Sequence, residues 1–410
     1  MKAFPTIDMA EVTRLTREGR LDEAMRLLRG ERAAGASTTQ SSSDESSQSG
    51  AAVDATPPII DMQPPSAANG GAWTAPPARE SSTATPASPT PALASTLRAT
   101  LDRVLKPRMR VGASAMSPSV EMPSGARWEE RSYANAGDSR NYRLYVPAAY
   151  DGTPMPLLVM LHGCTQTPDD FARGTRMNEL AEAQGFLVAY PAQSQTANAS
   201  KCWNWFNADD QQRDHGEPAL IAGITREILR DFAIDPRRVY VAGLSAGGAM
   251  AAILGATYPD LYAAIGVHSG LARGAASDIP SALAAMRNGG VPAARSNAHA
   301  RSTPTIIFHG DADTTVNPLN AEQVALDARG GAHTTRQTKA GSSAAGIAYS
   351  VSVETSDDGR IVLEQWTLHG AGHAWSGGSP NGSFVEPRGP DASREMLRFF
   401  NGHANASARS

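Results

Sequence analysis

VYVAGLSAGGAMAAIL, residues 239–254, decides how this chain is read. Val239, Tyr240, Val241 and Ala242 form an apolar run suited to a buried strand, and residues 248–254 are small and apolar, as in a buried helix. Between them stands Gly243-Leu244-Ser245-Ala246-Gly247, a G-x-S-x-G pattern. A serine on a sharp strand-to-helix turn takes a strained backbone, and only very small neighbours leave room for it. Taken alone, the pentapeptide fits equally a glycine-rich turn that packs a helix close to a sheet. The rest of the chain decides between the two.

Working outward, apolar strands alternate with helices. Strands are expected over 142–146, 156–161, 186–190, 239–242, 263–268, 304–309, 350–354 and 361–368. Helices are expected over 171–184, 218–232, 248–254, 320–328 and 390–400. Continuous apolar strands separated by helices imply an α/β fold, a mostly parallel sheet covered on both faces. In such sheets the chemistry gathers at the carboxyl ends of the strands.

Three of those ends carry reactive side chains. Ser245 follows the strand at Val239, FHGDAD (308–313) follows the strand at Pro304, and GAGH (370–373) follows the strand at Ile361. Serine, acid, histidine is the chain order of an α/β-hydrolase triad. The histidine takes the serine's proton, and the carboxylate fixes its tautomer and stabilises the imidazolium. Asp313 is the preferred acid, because it sits in His-Gly-x-x-Asp-x-x-Val with Val316 behind it. Asp311 is expected to stabilise its own turn. Among nine histidines, His373 is the expected base. His369 lacks a glycine-flanked turn, and His268 ends a strand whose loop supplies no other member of the set. His162 and His309 are expected to orient loops, and His299, His333 and His403 to lie at the surface. His215 stands open as a rim residue. Acyl transfer also needs N–H donors aimed at an oxyanion. The backbone N–H groups of Ala246 and Cys164 are the expected pair.

Five motifs occur in order: LHGCTQ (161–166), CWNWF (202–206), GLSAGGAM (243–250), FHGDADTTV (308–316) and GAGHAWSGG (370–378). Together they resemble the esterase, polyhydroxybutyrate (PHB) depolymerase family of α/β-hydrolases, over about residues 127–400. The resemblance implies the α/β-hydrolase fold, Ser245, Asp313 and His373 as the triad, and Cys164 at the oxyanion site. It also implies a Cys164–Cys202 disulfide, with two reduced, buried cysteines as the alternative in a reducing cytosol. Trp375, two residues after His373, is expected to line the substrate site. Trp203 and Trp205 fit either site or core, and Trp203 is carried as a second substrate-binding candidate.

The implied activity is serine carboxylic-ester hydrolysis of poly- or oligo-hydroxyalkanoates through an acyl-serine, with no metal or organic cofactor. A feruloyl or acetylxylan esterase would use the same triad with a different pocket. A catalytically silent granule-binding protein is the reading from another class. Secreted relatives imply an extracellular location, yet the first 19 residues have no apolar leader core, so the cytoplasm remains a second reading.

The chain has 410 residues and a net charge of −4, with no Lys/Arg-rich run to meet nucleic acid. The small-residue span 241–256 is too short to cross a membrane. Residues 1–33 read as a short helical hairpin, a candidate docking element for a partner. Residues 34–93, rich in Ser, Thr, Pro and Ala, read as a disordered linker. A helix and connecting segment over 94–126 lead to the catalytic domain at 127–402, and 403–410 are expected to be a disordered tail.

Overall fold

A computed structural model describes residues 122–406, apart from 136, 291–302 and 332. The expected hairpin, linker and 94–111 helix, and also His299, lie outside the described residues.

The strands are β1 (Arg127–Ala134), β2 (Ser139–Val146), β3 (Met155–Leu161), β4 (Leu187–Pro191), β5 (Ile234–Leu244), β6 (Ala264–His268), β7 (Thr305–Gly310), β8 (Thr334–Ser342), β9 (Ala348–Ser356) and β10 (Ile361–Leu368). They form one ten-stranded sheet in the order β1-β2-β4-β3-β5-β6-β7-β10-β9-β8. The six from β4 to β10 run parallel. The two strands at each edge join antiparallel. Central strands such as β6 and β7 are buried along their whole length, which is why they read as unbroken apolar runs. A second sheet pairs Trp375–Ser376 with Val385–Glu386.

Helices cover both faces. Those expected from the sequence are α1 (Pro168–Thr175), α2 (Met177–Gln184), α3 (Gly216–Asp231), α4 (Ala246–Thr257), α6 (Leu319–Arg329) and α7 (Ala392–Asn401); α5 (Ile279–Asn288) was not among them. Side chains of α3, α4, α5 and α6 share one apolar cluster with the sheet, and those of α1, α2 and α7 share the other. No helix among the described residues is long and apolar enough to cross a membrane.

The differences from the sequence reading have local causes. The single helix expected over 171–184 is two, because Arg176 takes a left-handed conformation (φ 56) that ends α1 and starts α2. Strand β8, TTRQTKAGS, is almost wholly exposed. It carries no apolar alternation to read, and its Lys339 suits an edge that must not recruit another strand. Helix α5 did carry a signal: Asp278 accepts from the Ser281 N–H, and Ser281 reciprocates in a capping box.

The tail expected to be disordered is anchored as far as it is described. His403, expected at the surface, is buried, with ring nitrogens 2.7 Å from Phe399 O and 2.7 Å from Ile361 O. Asn405 donates its backbone N–H to Arg237 O and its amide to Pro259 O and Asp260 O. The short polar segment satisfies carbonyls at the amino end of the sheet, which a composition argument does not register.

Candidate active site

Strands β5, β6, β7 and β10 are consecutive and parallel, so their carboxyl ends line one edge. Ser245 leaves β5 with φ 58 and ψ −119 and heads α4. That positive φ is unfavourable for a side chain with a Cβ. It is held by the Ser245 N–H bond to His268 O at the end of β6, 2.9 Å long. The flanking glycines are required by contact. A Cβ on Gly247 would lie 2.1 Å from Leu161 O, and one on Gly243 would lie 2.3 Å from the Gly247 carbonyl carbon. The helix therefore closes directly onto β3 and β5, and Ser245 stands at its start.

The first N–H groups of a helix have no intrahelical acceptor, so Ala246, the first residue of α4, offers one beside the serine. The loop after β3 is fixed by its own side chains. Gln166 Oε1 accepts from the Gly163 N–H (2.9 Å), and Gln166 Nε2 donates to Ser383 O (3.0 Å) and Asp170 Oδ2 (3.1 Å). The Thr165 N–H goes to Ser200 O and the Gln166 N–H to Gly163 O. Among the described residues, Cys164 is left as the N–H of this turn without an acceptor. Gly163 borders Ser245 so closely that a Cβ there would sit 3.6 Å from the serine's own.

Asp313 and His373 meet: Oδ2 and Nδ1 are 2.7 Å apart. The other carboxylate oxygen, Oδ1, accepts from the Thr315 N–H at 2.9 Å and the Val316 N–H at 2.8 Å. Burial works to raise the Asp313 carboxyl. Hydrogen bonds and charge from His309 and His373 outweigh it and hold the group well below the usual carboxylate range. Asp311 departs from its expected role. Its side chain does not brace its own turn but crosses to the next loop, where Oδ2 meets His369 Nδ1 at 2.9 Å and Oδ1 accepts from the Gly370 N–H at 2.7 Å. The turn-bracing contacts belong to Asp313.

Two histidines act as scaffolding. His162 lies 2.8 Å from Gly163 O through Nδ1 and accepts from the Gln193 N–H through Nε2; burial pushes it down to about 4, so it is neutral. His268, without an expected role, carries the carbonyl that holds Ser245. Its ring stacks on Trp375 and Phe308, and its Nε2 accepts from the Ser376 N–H. Burial, then the neighbouring His309 and His373, push it well below its ordinary value.

The two substrate-binding expectations are corrected. Trp375 is 1% exposed, donates to Ser393 Oγ and packs edge-on to Phe171, and Trp203 is fully buried and donates to His162 O. Both rings spend their faces on the core. Trp205, left open, is also buried.

Cys164 and Cys202 are joined by a disulfide, closing a 38-residue separation. It ties the turn that presents the Cys164 N–H to the CWNWF loop. Replacing both cysteines by serine is expected to lower stability by roughly 2–4 kcal/mol, read as a lower urea midpoint with a steeper slope, because the uncross-linked chain exposes more surface when unfolded.

That loop is pinned in turn by Glu217 at the start of α3. Its carboxylate accepts from the Asn204 N–H (2.7 Å), from Asn204 Nδ2 (2.8 Å) and from Gln193 Nε2, and Gln193 Nε2 also donates to Cys202 O. No motif pointed to it, because nothing in the sequence pairs a glutamate at the start of a helix with the CWNWF loop. Burial first, then the charge of Asp210, push Glu217 up to about 7. A carboxyl raised by folding stabilises fully below its ordinary value, and that contribution is lost as pH rises to the folded value. Glu217→Gln removes the titration. Between pH 4.5 and about 7 the variant should therefore lose less stability than the wild type, measured by denaturant midpoints at the two ends.

The parallel sheet, its helical cover and the strained serine at the head of α4 define an α/β-hydrolase fold. In fold, the chain is similar to an acetyl xylan esterase from Aspergillus awamori (TM-score 0.53, 20% identity, 67% of this chain and 99% of that one). Residues 140–345 match the Esterase PHB depolymerase family, and the chain belongs to that family. It is similar to poly(3-hydroxyalkanoate) depolymerase C of Paucimonas lemoignei, 32% identical over 58% of this chain and 59% of that protein. It is also similar to feruloyl esterase B of Thermothelomyces thermophilus, 35% identical over 44% of this chain and 66% of that protein. The matched region spans 59% and 53% of two depolymerase relatives.

Proposed function

We propose that this protein is a serine carboxylic-ester hydrolase that cleaves hydroxyalkanoate esters, oligomeric or polymeric, through an acyl-Ser245 intermediate. His373 takes the Ser245 proton and passes it to the leaving alcohol. Asp313 keeps the proton on Nδ1, so that Nε2 is free to act as base, and stabilises the imidazolium that forms. The N–H groups of Ala246 and Cys164 receive the oxyanion. Water then repeats the sequence and frees the acid. The observation that carries this reading is the 2.7 Å Asp313–His373 contact, on the same sheet edge as the strained Ser245. The disulfide supports residence in an oxidising compartment, outside the cytosol.

A second reading, a feruloyl or acetyl esterase, is favoured by the 35% identity to feruloyl esterase B. Turnover of hydroxybutyrate oligomers, methyl ferulate and acetylated xylan by one preparation separates them. The highest kcat/KM on the oligomers supports the proposal. Preference for ferulate or acetyl groups replaces it with the second reading, and no turnover of any ester refutes both.

A further inference from the structure

A second serine, histidine and aspartate are joined in sequence outside the site described above. His369 Nδ1 lies 2.9 Å from Asp311 Oδ2, and His369 Nε2 lies 2.9 Å from Ser350 Oγ. Asp311 is oriented by the Gly370 N–H at 2.7 Å. If Nδ1 carries the proton to the carboxylate, Nε2 accepts from the Ser350 hydroxyl, which is the arrangement that makes a serine nucleophilic. The histidine and aspartate side chains are each 42% exposed, and Ser350 is half-buried, so an ester in solution can reach the hydroxyl.

We propose that Ser350 is a second nucleophile of this protein, activated by the His369–Asp311 pair and acylated by activated aryl esters. The Ser350 Oγ–H proton passes to His369 Nε2 as Oγ bonds to the acyl carbon. The bond from that carbon to the aryl oxygen breaks, the phenolate leaves, and His369 returns its proton to solvent. The substrate class follows from what the site lacks. Ser350 sits mid-strand in β9, between Ala340 of β8 and Thr367 of β10, with normal strand pairing and no helix start beside it. Without oxyanion donors such a serine forgoes about 10²–10³ in rate. Only an ester whose leaving group departs unaided is within reach. Alkyl esters such as hydroxyalkanoates are not.

The test uses the full chain with Ser245→Ala, so that its outcome does not depend on the role assigned to Ser245. This protein is incubated with p-nitrophenyl acetate, and acetylated serines are located by peptide mass spectrometry. Acetyl-Ser350 should accumulate faster than acetylation of the other serines. It should vanish with Ser350→Ala and fall by at least about tenfold with His369→Asn or Asp311→Asn. Equal labelling of Ser350 with and without those two substitutions would reduce the cluster to a brace between loops and overturn the proposal. So would labelling of Ser350 no faster than that of other serines. His369 and Asp311 are exposed and Ser350 is half-buried, and an unchanged melting temperature excludes unfolding as the cause of a loss.

Discussion

Ser245→Ala should lower kcat for a hydroxybutyrate oligomer by about 10⁵–10⁶, with KM nearly unchanged. The size follows from the chemistry assigned to one oxygen. Without it no acyl-enzyme forms, and binding with the two oxyanion N–H groups leaves only a residual acceleration over water. The fold should tolerate the change. The Ser245 backbone is held by its N–H bond to His268 O, and that bond does not involve the side chain. The measurement is initial rate against oligomer concentration, with urea midpoints showing that stability is kept. A loss under about tenfold would remove Ser245 from the mechanism. An aryl ester is a poor substrate for this experiment, because the second serine cluster would supply a background that alkyl esters do not reveal.

Asp313→Asn should cost about 10⁴ in kcat at neutral pH while leaving the backbone turn in place. The turn survives because the amide oxygen of asparagine still accepts from the Thr315 and Val316 N–H groups. What is lost is the anion facing His373 Nδ1. An amide nitrogen in that position donates, so the ring turns its lone pair toward residue 313 and carries its proton on Nε2. That nitrogen then has no lone pair for the Ser245 proton. The carboxylate is held well below the usual range, so in the wild type it stays ionised throughout the acid side of the pH profile. The acid limb of kcat/KM therefore belongs to another group, and the profile should show no inflection assignable to Asp313. Asp311→Asn gives the contrast: its carboxylate faces His369, so oligomer turnover should fall by less than about tenfold.

Much of this was legible because it is local. The elbow could be read from Gly243 and Gly247, since only glycine permits the approach of α4 to Leu161 O and the close contact with β5. The central strands could be read because burial on both faces makes them mostly apolar, with polar residues only near their ends, as at Thr305, His309 and His268. Other features were not legible for equally physical reasons. Strand β8 has no apolar face, so its pairing with β9 leaves no period in the sequence. Trp375 lies two residues from His373, and proximity in sequence suggested a wall of the site. The chain turns between them, and the ring goes under the sheet edge to stack on His268. Glu217 and His268 belong to no motif. Each acts through groups that arrive from other elements.

The sequence by itself determined the fold class, the order in which serine, acid and histidine follow their strands, and the residues proposed for acyl transfer. These depend on side-chain size, burial pattern and chain order, all of which are written one residue at a time. The Asp313–His373 pairing was already expected from the motifs, whereas tertiary structure alone sent Asp311 across to His369. It also decided that Trp203 and Trp375 pack into the core and that Gln166 and Glu217 brace the loops that the Cys164–Cys202 disulfide joins. A hydrogen bond a few ångströms long between loops some 60 positions apart depends on the register of adjacent strands. That register is set by the packing of the whole sheet.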